Sequence, residues 1–171
     1  MLRVRSFPPI ENTRARVLVL GSMPGGASLR AAQYYAHPQN LFWPIMSDLL
    51  GAEPELTYAA RIRLLNANGI ALWDVLESCV REGSLDSSIE EASIAVNDFA
   101  LFYRMHPKIE RVFFNGVKAQ ATYRRYVLGD ASLVISPLDY FRLPSTSPAH
   151  ASLSFKQKRD AWKVVVEPGS N

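Results

Sequence analysis

Three features of this 171-residue sequence predict an α/β fold, a three-layer α/β/α sandwich built on a four-stranded, mostly parallel central sheet. Short branched apolar runs recur along the chain, segments with apolar residues at three- and four-residue spacing separate them, and turn-forming residues follow the runs. Strands that alternate with helices pair in parallel, and helices then cover both faces of the sheet.

The elements follow in order. Residues 16–20 (RVLVL) form the first predicted strand, which enters the turn Gly21-Ser22-Met23-Pro24-Gly25-Gly26. Helices are predicted over residues 41–50 and 56–65, each able to bury one apolar face. Residues 69–73 (GIALW) are the second strand, residues 99–105 a helix, residues 111–114 (RVFF) the third strand and residues 117–127 a further helix. The fourth strand is placed at residues 133–136 (LVIS). The last helix is expected to start near Ser154, because Ser154 and Gln157 have capping-box spacing and Ala161, Trp162 and Val165 form a stripe opposite Lys156, Lys158 and Arg159.

Composition narrows the function classes. With 48% apolar residues the chain can bury a core, and its Gly, Pro and charge contents exclude disordered, collagen-like and coiled-coil classes, so one domain over residues 1–171 is expected. The single Cys79 can form neither an internal disulfide nor a cysteine cluster, and the three histidines make no H-E-x-x-H pair, so neither a disulfide nor zinc is expected. The absence of a membrane-length apolar stretch and of a signal-peptide pattern points to a cytoplasmic protein without membrane contact. Nothing suggests an apolar interface, so a monomer is expected. Net charge is +3, distributed as +3 over residues 1–50, −6 over 51–100 and +6 over 101–171. If the two basic ends meet, they make a positive face for an anionic polymer; solvated charge without a partner is the blander reading.

Ligands of open parallel sheets bind beyond the carboxyl ends of the strands, which directs attention to the loops there. The first loop, GSMPGG, is not a standard phosphate motif, and Pro24 removes one amide. Next, residues 34–43 (YYAHPQNLFW) pack four aromatic residues, a histidine and an asparagine into ten positions. Trp43 reads as core. For Asn40 and Phe42, helix capping and core packing stand level with ligand contact. Asn115 either satisfies its loop backbone or reads a ligand edge. Ser145, Thr146 and Ser147 between Pro144 and Pro148 form a rigid turn rich in hydroxyls and amides, able to grip phosphate oxygens or to be an ordinary loop, and His150 either caps this loop or contacts DNA.

Taken together and in this order, GSMPGG, YYAHPQNLFWPIM, FFNGVKA and LPSTSPAHA resemble the uracil-DNA glycosylase superfamily, most closely its hypoxanthine-DNA (deoxyinosine) glycosylase branch, over residues 16–165. The resemblance implies a monofunctional enzyme, without metal or cofactor, that hydrolyses the N-glycosidic bond of deaminated bases in DNA, hypoxanthine foremost. It also implies that Asn40 is catalytic, that Ser22, Met23, Phe42 and Asn115 contact the base with Phe42 stacking on it, and that Gly25, Ser145, Thr146, Ser147, Pro148 and His150 hold the DNA backbone. Ser22 stands where the superfamily commonly has an Asp or Asn that handles the attacking water, and His150 departs from the usual polar residue after S-P-A. His150 and Leu153 are the candidates for the side chain that fills the vacated base position. The alternatives are a uracil or mismatch glycosylase, a damaged-DNA-binding module without catalysis, and a mononucleotide-binding protein.

Overall fold

The computed structural model describes residues 2–169. Its central sheet has four parallel strands in the order β3-β2-β6-β7: β2 is Val17–Gly21, β3 Ile70–Asp74, β6 Arg111–Asn115 and β7 Asp139–Leu143. Strand β2 is central and buried along its whole length, which is why its sequence is a continuous apolar run rather than an alternating one. Its side chains divide between two cores. Val17 and Val19 pack with α2 (Phe42–Leu49), α3 (Tyr58–Ala67) and α6 (Phe155–Trp162), whereas Leu18 and Leu20 pack with α4 (Phe99–Met105) and α5 (Val117–Tyr123). Each such fully buried aliphatic side chain contributes about 1.5–3 kcal/mol. The helices form on the expected segments. α5 continues as a wider turn over Arg124–Leu128, and the capping box of Ser154 and Gln157 starts α6.

The fourth strand is not where the sequence placed it. Residues 133–136 are irregular: Leu133 and Ile135 dock against the core while Val134 is exposed. Pro137 then supplies no amide donor for a ladder, and the strand begins two residues beyond it. β7 (DYFRL) is mostly exposed, whereas β3, at the opposite edge of the sheet, is buried along its whole length; β7 therefore carries charge and lacks the apolar run that marks the other three.

A second, three-stranded antiparallel sheet was not anticipated. It pairs β1 (Arg3–Arg5) with β4 (Leu76–Val80), and β4 with the two-residue β5 (Ala95–Val96). Leu76 and Cys79 of this sheet join the α4/α5 core, and the 81–91 segment that β4 leads into crosses toward the first loop. Helix α1 (Gly26–Ala31) is a short turn after that loop. Among the described residues no helix is long and apolar enough to cross a membrane.

Candidate active site

A cleft of about 840 Å³ opens at the carboxyl end of the parallel sheet, a volume suited to a nucleoside-sized group. It gathers the first loop (Ser22, Met23, Gly25), Asn40, Asn115 and the 145–150 segment, residues remote in sequence. Strand termini explain the convergence: β2 ends at Gly21, β6 ends at Asn115, and β7 ends at Leu143 just before the second loop.

Asn40 sits at the entrance to α2, where its Oδ1 accepts a hydrogen bond from the Phe42 amide at 2.9 Å. Capping and ligand contact are therefore compatible: one end of the carboxamide fixes the helix start, while Nδ2 makes no hydrogen bond to a described residue and belongs to a side chain that lines the cleft.

Phe42 departs from the expectation. It is fully buried, in edge contact with Trp43 and Trp162, and does not line the cleft. Tyr34 and Tyr35 both belong to the cleft lining; Tyr34 is buried, and the half-buried Tyr35 has its ring centroid 4.4 Å from that of Phe42. The helical phase of α2 turns Phe42 inward with Ile45 and Met46, so it supports the cleft ring from behind.

Asn115 is spent on the second loop. Its Nδ2 donates to Thr146 Oγ1 and its Oδ1 accepts from the Thr146 amide, both at 2.9 Å, so of the two sequence readings the structure favours loop support. The loop is tied at further points. Trp162 Nε1 donates to the Pro144 carbonyl at 2.9 Å, Thr146 O accepts from the Leu41 amide at 3.0 Å, and Lys158 Nζ donates to the His150 carbonyl at 2.5 Å. Lys158 is buried, which pulls its ammonium below the usual lysine range. Gly116, at φ +95°, lets the loop approach, because a Cβ there would lie 3.2 Å from the Ser145 Cβ. Ser147 and Ala149 amides donate to the Ser145 and Ser147 hydroxyls, while Pro148 and His150 remain exposed at the rim. Leu153 is half-buried and lies outside the cleft lining.

Sequence reasoning missed Asp74. This residue ends β3, is 2% exposed, and lines the cleft floor. A Cβ on Gly21 would lie 2.5 Å from Asp74 Oδ1 and 2.8 Å from Tyr35 Oη, so the carboxyl and the phenol share the room that glycine leaves. Neither Asp74 Oδ2 nor Tyr35 Oη has a hydrogen-bond partner among the described residues. Burial first, then the negative charge of Asp86, push the Asp74 carboxyl up to about 7, with Arg81 opposing. Burial and the Asp74 charge likewise push the Tyr35 phenol up, against the nearby Asn115 carboxamide.

The 81–91 segment was missed as well. Ser22 Oγ donates to Asp86 Oδ1 at 2.6 Å, Ser84 Oγ accepts from the Gly26 amide at 2.7 Å, and buried Arg81 binds the carbonyls of Pro24 (2.5 Å) and Gly83 (3.0 Å). Glu91 reaches the cleft too, paired with Lys118. The acidic middle of the chain therefore lies across the cleft, and its lining mixes Asp74, Asp86 and Glu91 with Lys118, His37 and His150 instead of forming a uniformly positive face. The rule that points to loops after strands applies equally to β3, and would have singled out Asp74.

Comparison with known proteins agrees with this geometry. The family model described as the uracil DNA glycosylase superfamily matches residues 8–167. A hypoxanthine DNA glycosylase of Methanosarcina barkeri (strain Fusaro) is 37% identical over 164 residues, covering 94% of this chain and 96% of the relative. One from Methanosarcina acetivorans is 34% identical over the same shares. A solution NMR structure from Methanosarcina acetivorans, carrying a provisional uracil DNA glycosylase name, matches with a TM-score of 0.79 at 33% identity, over 96% of this chain and 97% of that one. On its sequence, its sheet and its loops, this chain belongs to the uracil DNA glycosylase superfamily.

Proposed function

We propose that this protein is a monofunctional DNA glycosylase that hydrolyses the N-glycosidic bond of deaminated bases, with hypoxanthine in deoxyinosine its principal substrate, as the first step of base excision repair. The observation that carries the reading is the convergence of Asn40, the first loop and the 145–150 loop on one nucleoside-sized cleft. The Methanosarcina relatives, named for hypoxanthine, favour that base within the class.

The damaged nucleotide leaves the helix stack and enters the cleft, at a cost of a few kcal/mol that is lowest for weakly paired lesions. Tyr35, backed by Phe42, offers its ring to the base. The Ser145–Pro148 turn and Gly25 hold backbone phosphates, with His150 exposed at the rim to contact the strand or fill the vacated position. Bond cleavage develops cationic character on the sugar and negative charge on the base. Water positioned by Asn40 Nδ2 attacks C1′, while amides of Met23 and Gly25 face the developing charge. In this reading the chain is one domain that works as a monomer in the cytoplasm; light scattering of the purified protein tests the oligomeric state.

The deciding experiment incubates the protein, in EDTA, with duplexes carrying hypoxanthine, xanthine, uracil or mismatched bases and scores alkali-labile sites. Hypoxanthine is expected to be released fastest, and Asn40→Ala is expected to lose most of the activity while still binding DNA. Faster cutting at uracil would make the protein a uracil glycosylase, the reading favoured by the name of its solved neighbour. Duplex binding with no lesion cut would make it a binding module.

A further inference from the structure

Asn40 leaves a proton unaccounted for. A carboxamide orients water but takes up no proton at neutral pH, and its Oδ1 already accepts from the Phe42 amide. The first loop supplies no carboxylate of its own, since Gly21 and Ser22 occupy its leading positions. Two carboxyl groups nevertheless flank this dipeptide from elsewhere in the chain. Asp74 lies where a Gly21 side chain would stand, and Asp86 binds the Ser22 hydroxyl at 2.6 Å.

Backbone pairing builds this bracket. The Val75 amide donates to the Gly21 carbonyl at 2.8 Å and the Leu76 amide to the Ser22 carbonyl at 3.1 Å, locking the β3–β4 junction alongside the loop. Arg81, binding Pro24 and Gly83 together, brings the following segment back over it. The environments of the two carboxyl groups are opposite. Asp74 is buried with one oxygen lacking a partner among the described residues, faced by Tyr34 and Tyr35 from the segment before α2, by Arg81 just beyond β4 and by Asp86. Asp86 is exposed on the cleft, with Ser22 donating to it. Two carboxyl groups in unlike surroundings are how one site supplies both an acid and a base.

We propose that Asp86 and Asp74 are the acid–base pair of this site, Asp86 taking the proton of the attacking water and Asp74 giving one to the departing purine. The inference rests on the glycosylase reading. As the water oxygen bonds to C1′, the C1′–N9 bond breaks and its electron pair passes into the purine. The water proton goes to the Asp86 carboxylate, and the Asp74 proton goes to the purine. The step ends with a carboxylic acid at Asp86 and a carboxylate at Asp74, and exchange with solvent restores both. Ser22 orients Asp86 by donating its hydroxyl hydrogen.

The test is single-turnover release of hypoxanthine from a deoxyinosine duplex between pH 5.5 and 9, with duplex affinity measured in parallel. For the wild type the rate falls as pH rises through about 7, where buried Asp74 loses its proton. Asp74→Asn is slower by roughly 10²-fold or more and loses that descent. Asp86→Ala is slower by a similar factor at unchanged duplex affinity, and added formate restores part of its rate but none of that of Asn40→Ala. Asp86→Asn moves the descent to lower pH, because the neighbouring charge that raises Asp74 is gone. An Asp86→Ala enzyme as fast as wild type, or one that formate fails to revive, overturns the pair and leaves the glycosylase reading standing. A wild type that cuts no lesion overturns the glycosylase reading itself, and the pair with it.

Discussion

The carboxamide of Asn115 and the backbone and hydroxyl of Thr146 form a reciprocal two-bond clamp, each bond 2.9 Å long. It joins the end of β6 to the loop after β7, so the central sheet fixes the height of the loop above the cleft. Asn115→Ala strands the buried Thr146 groups and costs about 1–3 kcal/mol of stability. The KM for a lesion duplex should rise roughly tenfold, about 1.4 kcal/mol, with a smaller change in kcat. An unchanged KM would show that the loop holds its shape without the clamp.

Lys158 gives a second handle on the same loop. Among the described residues its buried ammonium has one hydrogen-bond acceptor, the His150 carbonyl, at a desolvation cost that Met would not bear. Lys158→Met should therefore melt no earlier than wild type, yet bind duplex DNA about three- to tenfold more weakly, roughly 0.7–1.4 kcal/mol. Calorimetry and a binding titration decide between this and a purely structural lysine.

At Gly21 the prediction is steric. A methyl group there meets Asp74 Oδ1 and Tyr35 Oη well inside contact distance, and both belong to side chains packed at the cleft floor. Gly21→Ala should cost about 1–3 kcal/mol and slow excision, because the carboxyl must move. Normal rates in a protein of normal melting temperature would contradict the shared-space geometry.

Asp74 also sets a pH dependence of stability. Its folded-state value of about 7 lies above the ordinary 3.8, so the folded protein holds this proton more tightly than the unfolded chain does. That contribution is complete below about pH 4 and is lost as pH rises to 7, where the charge becomes buried. Asp74→Asn escapes the loss, and should be more stable than wild type by roughly 2–4 kcal/mol at pH 8, the difference closing toward pH 4. Urea unfolding at the two pH values measures it.

The neighbouring rings of Tyr35 and Phe42 separate by function. Tyr35→Ala removes a ring on the cleft and should reduce excision about tenfold at a cost of roughly 1–3 kcal/mol, whereas Phe42→Leu disturbs the core and should cost roughly 1 kcal/mol or more, with the smaller catalytic effect. The reverse pattern would restore the stacking role to Phe42.

Much of this was legible in the sequence. The three buried strands β2, β3 and β6 announce themselves as unbroken apolar runs because neither of their faces meets water. β7 was hidden by the exposure that gives it charged residues, β1 and β5 by their brevity, and the five-residue β4 by the Glu77 and Ser78 that interrupt its apolar residues. Among site residues, the loop strings carried Asn40 and Ser145–Pro148 to the cleft. The division of labour between Tyr35 and Phe42 depends on helical phase at the start of α2, and Asp86 reaches the cleft through a segment whose charge alone reads as solvated surface. Pairings across the fold of this kind have no local signature.

The Arg3–Arg5 strand has a practical consequence. Arg3 binds Ser78 and Ser93, partners 75 and 90 positions away, and so acts as a hasp on the ribbon that aims the acidic crossing. A purification tag fused tightly ahead of it would pry at that hasp and blunt base release from a distance.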